Sequence, residues 1–102
     1  MTDNLREIIE SPLYQGKDES IRYSLTTTPW GGTPSSPAVS IYDQTGTDVS
    51  ATNLSGTCNY SGDVIVTPFV TLLEAGKRYR IEIKFTSGGN TFEAYGYVRG
   101  EL

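Results

Sequence analysis

The stretch RYRIEIKFTSGGNTFEAYGYVR, Arg78 to Arg99, carries two runs in which apolar residues alternate with charged or aromatic ones. Alternation with period two is the pattern of a half-buried strand. Between the runs lies Ser87-Gly88-Gly89-Asn90, and two consecutive glycines supply the positive φ angles that a two-residue hairpin turn demands. With Gly88 and Gly89 as the turn, the register follows. Phe85 faces Phe92, Ile83 faces Ala94, Ile81 faces Gly96 and Tyr79 faces Val98 on one side. Lys84 faces Glu93, Glu82 faces Tyr95, Arg80 faces Tyr97 and Arg78 faces Arg99 on the other. A slip of one residue would reverse every face, so the apolar side and the turn together specify the pairing.

Directly upstream, LLEAGKRY places Leu73, Gly76 and Tyr79 at three-residue steps. Where a chain leaves one sheet and enters another, a glycine can take the backbone angles of the corner. A tyrosine at the start of the receiving strand can bury its ring and bond a backbone group upstream through its hydroxyl. Leu-x-x-Gly-x-x-Tyr followed by Ile81, Ile83 and Phe85 resembles the tyrosine corner of immunoglobulin-like and fibronectin type III domains. The expected fold is therefore all-β, an immunoglobulin-like (fibronectin type III-like) antiparallel β-sandwich of about seven strands. The structural positions are Leu73, Gly76, Tyr79, Phe85, Gly88, Gly89 and Phe92. The chain lacks the cysteine pair of antibody domains, and its one tryptophan precedes the third strand, so the broader superfold is implied.

Outward from this core the same alternation recurs between Gly, Pro, Ser, Asn and Asp clusters. Ile21, Tyr23 and Leu25 predict a strand that ends at the linker TTTPWGGTPSSP, and Val39 and Ile41 predict the next, closed by a turn at Asp43 to Gly46. Val49 and Leu54 suggest a short edge piece, Cys58 and Tyr60 another strand, and Ser61-Gly62-Asp63 a tight turn into Val64 to Val70. Pro68 lacks an N–H, so this last segment is expected to be peripheral or interrupted. Leu5, Ile8 and Ile9 fall at helical spacing, too short a run for a stable isolated helix. Residues 1–19 read as an N-terminal arm that docks on the sandwich or on a neighbour, and residues 20–102 as the domain.

The 102 residues suit one domain, and 11 glycines with 36% hydrophobic residues describe a turn-rich globular chain. The net charge of −4 gives no positive field to attract a phosphate backbone, so nucleic acid is not an expected partner. No apolar run approaches the roughly 20 residues of a membrane span. The start MTDNLREIIE carries acids where a signal peptide has a basic end, so the protein is expected to stay in the cytoplasm where it is made. Cys58, the single cysteine, reads as a small buried apolar residue on a strand, and both Asn-x-Ser sequons read as turn chemistry. With no histidine in the chain, most general-base, triad and zinc arrangements are removed. DQTGTD lacks the closely alternating acids of a calcium loop and reads as a hairpin turn. The expectation is no enzyme, no cofactor and no metal.

Candidate binding residues lie on the outer side of the ribbon, where Arg80, Lys84, Tyr95, Tyr97 and Arg99 project together. Tyr and Arg are enriched at protein interfaces because a rigid ring or planar fork is buried with little loss of entropy. The same residues also suit a solvated face on which Tyr97 covers the Arg80 stem and Lys84 pairs with Glu93. Trp30, between Pro29 and Gly31, is either a plug over one end of the core or an exposed contact.

A set of turn and core features spans Ile21 to Val98: Trp30-Gly31, Pro34 and Pro37, Ile41-Tyr42-Asp43, Gly46-Thr47-Asp48-Val49, Ser61-Gly62-Asp63, the corner, and Phe85-Thr86-x-Gly88-Gly89-Asn90. In these the chain resembles short immunoglobulin-like proteins encoded among the head and tail structural genes of tailed bacteriophages and prophages. The resemblance implies a protein made in the bacterial cytoplasm and associated with the virion. It would bind other virion proteins, self-associate in a ring or lattice, and perform no catalysis. The alternative from another class is a carbohydrate or cell-surface binding module, with Trp30, Tyr42, Tyr95 and Tyr97 stacked on sugar rings.

Overall fold

A computed structural model describes residues 5–7 by their backbone and residues 13–28 and 32–101 in full. Trp30 and the expected helical positions Ile8 and Ile9 lie outside the described residues. In chain order the elements are β1 (Leu5–Glu7), β2 (Leu13–Gly16), β3 (Ser24–Thr26), β4 (Ser35–Tyr42), α1 (Ser50–Asn53), β5 (Leu54–Ser55), β6 (Asn59–Ser61), β7 (Val64–Val66), β8 (Phe69–Val70), β9 (Arg78–Ser87) and β10 (Asn90–Glu101). The protein is mostly strand. Where about seven strands were expected, the described residues form ten strands and one four-residue helix, since the N-terminal residues add β1 and β2 and Pro68 divides one expected strand into β7 and β8.

β9 and β10 pair antiparallel in the register expected from the double glycine, from Asn90 opposite Ser87 to Arg99 opposite Arg78. Gly88 and Gly89 take φ of 59° and 83°, the left-handed pair of a type I′ turn. The Phe85 and Phe92 rings meet at 5.7 Å between centroids, tilted by 31°. Phe85 is fully enclosed and Phe92 half-buried at the rim of the core.

β4 lies antiparallel on the other side of β9, and β1 and β2 lie parallel to β10 at successive heights, giving one five-stranded sheet. Residues 5–7 are thus extended and paired, where spacing alone suggested a weak helix: a strand that joins an existing ladder needs no helical nucleus. A second sheet runs in the order β3-β7-β6, and β5 pairs with β8. Leu25 and Ile65 of the second sheet join Ile41, Tyr79, Ile81, Ile83, Phe85, Ala94 and Val98 of the first, with Val70 and Leu73, in one buried cluster. The two sheets therefore share a core through their apolar faces.

The prolines mark the breaks. Pro68 divides Val64 to Val70 into β7, in the second sheet, and β8, paired with β5, so the segment is interrupted as its missing N–H requires. Thr67 holds the switch: its N–H donates to the Tyr23 carbonyl at 2.8 Å and its Oγ1 accepts from the Tyr23 N–H at 2.9 Å. β4 begins earlier than expected, inside the Pro-rich linker, by means of a register shift between Ser35 and Ala38 that leaves Pro37 unpaired. The first predicted strand is shorter. Ile21 forms only a bridge to Val70, and the ladder proper starts at Ser24.

The corner has the geometry expected of Leu73, Gly76 and Tyr79. Gly76 has φ of 84°, Leu73 and Tyr79 are buried, and the Tyr79 hydroxyl accepts a hydrogen bond from the Glu74 N–H at 3.0 Å. Its loop is tied to the end of β10, since the Gly76 N–H donates to the Gly100 carbonyl at 2.8 Å and the Gly100 N–H to the Lys77 carbonyl at 2.9 Å. A Cβ on Gly100 would collide with the Glu74 carbonyl, so only glycine permits this approach.

Candidate functional site

Alternation along β9 and β10 sends Tyr79, Ile81, Ile83 and Phe85 into the core, so Arg78, Arg80, Glu82 and Lys84 emerge on the outer face. From β10, Glu93, Tyr95, Tyr97 and Arg99 emerge beside them, and β4 adds Ala38, Ser40 and Tyr42. Five of the sequence candidates, Arg80, Lys84, Tyr95, Tyr97 and Arg99, thus lie on one continuous outer surface. Trp30, the sixth, is outside the described residues.

The surface has internal order. The Arg80 guanidinium lies 4.2 Å from the Tyr95 ring centre and that of Arg78 4.7 Å from Tyr97, while the two rings meet edge to face at 5.9 Å. Arg80 stacks on the diagonal Tyr95 rather than on Tyr97 opposite, and Arg78, which faces Arg99, stacks on the diagonal Tyr97. Tyr97 therefore covers Arg78, and Tyr95 takes the place on Arg80 that Tyr97 was expected to occupy. A long arginine leans along the strand, which brings the diagonal ring within reach. Stacks of this kind contribute about 0.5–1 kcal/mol each at exposed sites and restrain the guanidinium groups against the rings.

Arg80 Nε lies 2.9 Å from Glu82 Oε2 as an ion pair without the angle of a hydrogen bond, so its N–H remains unpartnered. Lys84 stands opposite Glu93 but makes no ion pair among the described residues. The most unusual placement is Arg78 directly opposite Arg99, since like charges facing across a ladder repel. No carboxylate among the described residues pairs with either guanidinium.

The flank of this surface is acidic. The turn after β4 is closed by the Gly46 N–H donating to the Asp43 carbonyl at 3.0 Å. Asp43 Oδ1 accepts from the Thr45 N–H, the Thr45 hydroxyl and the Thr47 N–H at 2.9, 2.6 and 3.0 Å. Those donors, the Thr45 hydroxyl first, hold the Asp43 carboxyl below the usual carboxylate range, and Ser50 does the same for Asp48. Both acids therefore remain ionised at neutral pH. Gln44 Oε1 accepts from the Arg78 N–H at 3.2 Å, and Asp48 bridges Tyr42, so the acidic turn borders the arginine end of the face.

Elsewhere Cys58 is half-buried ahead of β6, and burial pushes its thiol pKa up, away from reactivity. Among the described residues no group of three His, Cys, Asp or Glu side chains is placed to hold a metal ion, and no helix is long and apolar enough to cross a membrane. The chain matches no protein-family model and no curated protein.

Two further positions belong to the face. Arg78 stands outside the binding residues expected from sequence, although its pairing with Arg99 already follows from the turn. Tyr14, 59% exposed, extends the same face from β2 opposite Arg99, and no local signal ties residue 14 to residue 99.

Proposed function

We propose that the protein is an immunoglobulin-like, fibronectin type III-like β-sandwich that serves as a non-catalytic structural component of a tailed-phage or prophage virion, in its head, neck or tail, and binds other virion proteins. Support for the fold comes from the strand order β2-β10-β9-β4 facing β3-β7-β6, with the tyrosine corner leading into β9. The setting rests on the sequence resemblance. The observation that carries the binding role is the stack of Arg78, Tyr97, Tyr95 and Arg80, a rigid array of the residue types that dominate protein interfaces.

The same stack argues against the carbohydrate alternative, because one face of Tyr95 and one of Tyr97 already lie against guanidinium groups. The test is particle association. Gradient-purified virions carrying the gene should contain the protein in fixed stoichiometry, and Tyr95→Ala with Tyr97→Ala should leave it in the free fraction. A folded protein that stays off every assembled particle overturns the virion role, and binding on a glycan array that Tyr97→Ala abolishes would favour the alternative.

A further inference from the structure

We propose that the outer face of the five-stranded sheet binds a second copy of this chain about a two-fold axis, Arg78 and Arg99 of one copy meeting Asp43 and Asp48 of the other. The inference rests on the reading of this face as a protein interface, and it names the partner. Arg78 and Arg99 face each other across the β9–β10 ladder, and no carboxylate of the described residues neutralises them. A pairing that opposes its own local rule calls for an anion that the described residues do not provide there.

The missing charge lies one strand away. Asp43 and Asp48 flank the turn that borders the Arg78 end of the face, and backbone and hydroxyl donors keep both ionised. The turn donors converge on Asp43 Oδ1, so among the described residues Oδ2 accepts no hydrogen bond. The end of the surface where β9 begins is therefore divided, with Asp43 and Asp48 beside β4 and the guanidinium groups of Arg78 and Arg99 on β9 and β10, while Glu82 and Glu93 lie further along the same face. A two-fold axis makes such a patch complementary to itself: whatever meets in one direction meets again in the other, and each contact is doubled. The stacking of Arg78 on Tyr97 holds the guanidinium against the ring, which limits its freedom before a carboxylate arrives. A net charge of −4 on each copy opposes approach at long range, so local pairing of opposite charges must provide the attraction.

The experiment is sedimentation of the full chain at low salt and at about 1 M salt, where the screening length falls to about 3 Å, with Arg99→Glu, Asp48→Lys and their equimolar mixture. The expected result is a dimer at low salt that dissociates at high salt. Each variant alone should dimerise about tenfold or more weakly. The mixture should recover a heterodimer, because the two substitutions exchange the signs of one contact and so restore its attraction. Arg99→Glu also replaces the repulsion with Arg78 by attraction, so it should melt no lower than the unmodified chain. A wild-type monomer at every concentration and salt, or dimers untouched by Arg99→Glu, would overturn the proposal. A wild-type monomer that nevertheless loads onto virions, and ceases to when Arg99→Glu is introduced, assigns the face to a different virion protein. That outcome removes the two-fold dimer and leaves the virion role standing.

Discussion

The two sides of β10 are held by different physics. Toward β9 it forms a ten-pair ladder from Asn90 to Arg99, whose inner residues are apolar and whose turn is local. Toward β2 it forms four parallel pairs, Val98 to Glu101, and the inward residues on the β2 side are Leu13, partly buried against the core, and Gln15, which is completely buried. Its Nε2 donates to the Val70 carbonyl at 2.7 Å and the Glu19 carbonyl at 2.9 Å, and its Oε1 accepts from the Tyr23 hydroxyl at 2.7 Å. The ribbon draws its stability from apolar area, with each large buried side chain contributing about 1.5–3 kcal/mol. The β2 edge depends on a polar network that stabilises only while every member is satisfied. A strand can be fastened to a sheet by either means, but the second is sensitive to single atoms.

The substitution with the largest expected effect strikes both sides at once. Gly100 lies opposite Gln15 in the β2 pairing and carries both hydrogen bonds to the corner loop, and an alanine there would meet the Glu74 carbonyl backbone. Gly100→Ala should therefore destabilise by about 3 kcal/mol, measured by urea denaturation. An effect near zero would mean that the corner and the end of β10 are not locked together.

Gln15→Ala should cost about 2 kcal/mol by removing the partner of the Tyr23 hydroxyl, the Gln15 donor to the Glu19 carbonyl and one of the two donors to the Val70 carbonyl. It sharpens the comparison in hydrogen exchange: β2 amides should lose protection while those of β9 and β10 facing each other keep theirs. Equal loss in both would show a single cooperative unit. Tyr79→Phe acts on the ribbon side alone, removing the bond from the Glu74 N–H at the mouth of β9, with an expected loss of about 1 kcal/mol.

The smallest effect is a dependence on pH confined to the β2 edge. Burial, reinforced by the negative charge of Glu19, pushes the Tyr23 pKa from 10.0 up to about 12. The folded protein then holds the phenol proton more tightly than the unfolded chain, so this contribution is complete below pH 10 and is lost as pH rises through about 12. Phenolate absorbance should show one tyrosine titrating late, and Tyr23→Phe should remove that late step. Its persistence in the variant would assign the shift to another tyrosine.

Legibility followed the range of the interactions. The β9–β10 register, the turn at Gly88-Gly89, the corner at Leu73, Gly76 and Tyr79, and the interruption at Pro68 each rest on residues close together in the chain. Each carries its own signal: a period, a double glycine, a spacing or a missing donor. Gln15 gave no such signal, because its partners Val70 and Tyr23 come from other strands and a glutamine in a polar stretch reads as surface. Gly100 carries no local signal either, because what excludes a side chain there is the Glu74 carbonyl of the corner loop, distant in the chain. The outer face was half legible. Register placed its side chains on one surface, but the diagonal stacking of Arg80 on Tyr95 and Arg78 on Tyr97 depends on how long side chains lean along a twisted ladder.

Taken alone, the sequence determined that this chain is built of strands, where its longest hairpin folds back, and which side of that hairpin is apolar, since these follow from alternation and from backbone angles that only certain residues adopt. The tertiary structure alone decided that a buried glutamine secures the N-terminal edge, that Gly100 must remain without a side chain, and that an acidic turn borders the two arginines that face each other across the ladder. Those outcomes depend on atoms far apart in the chain meeting at hydrogen-bond and van der Waals distances, and no local pattern encodes such distances.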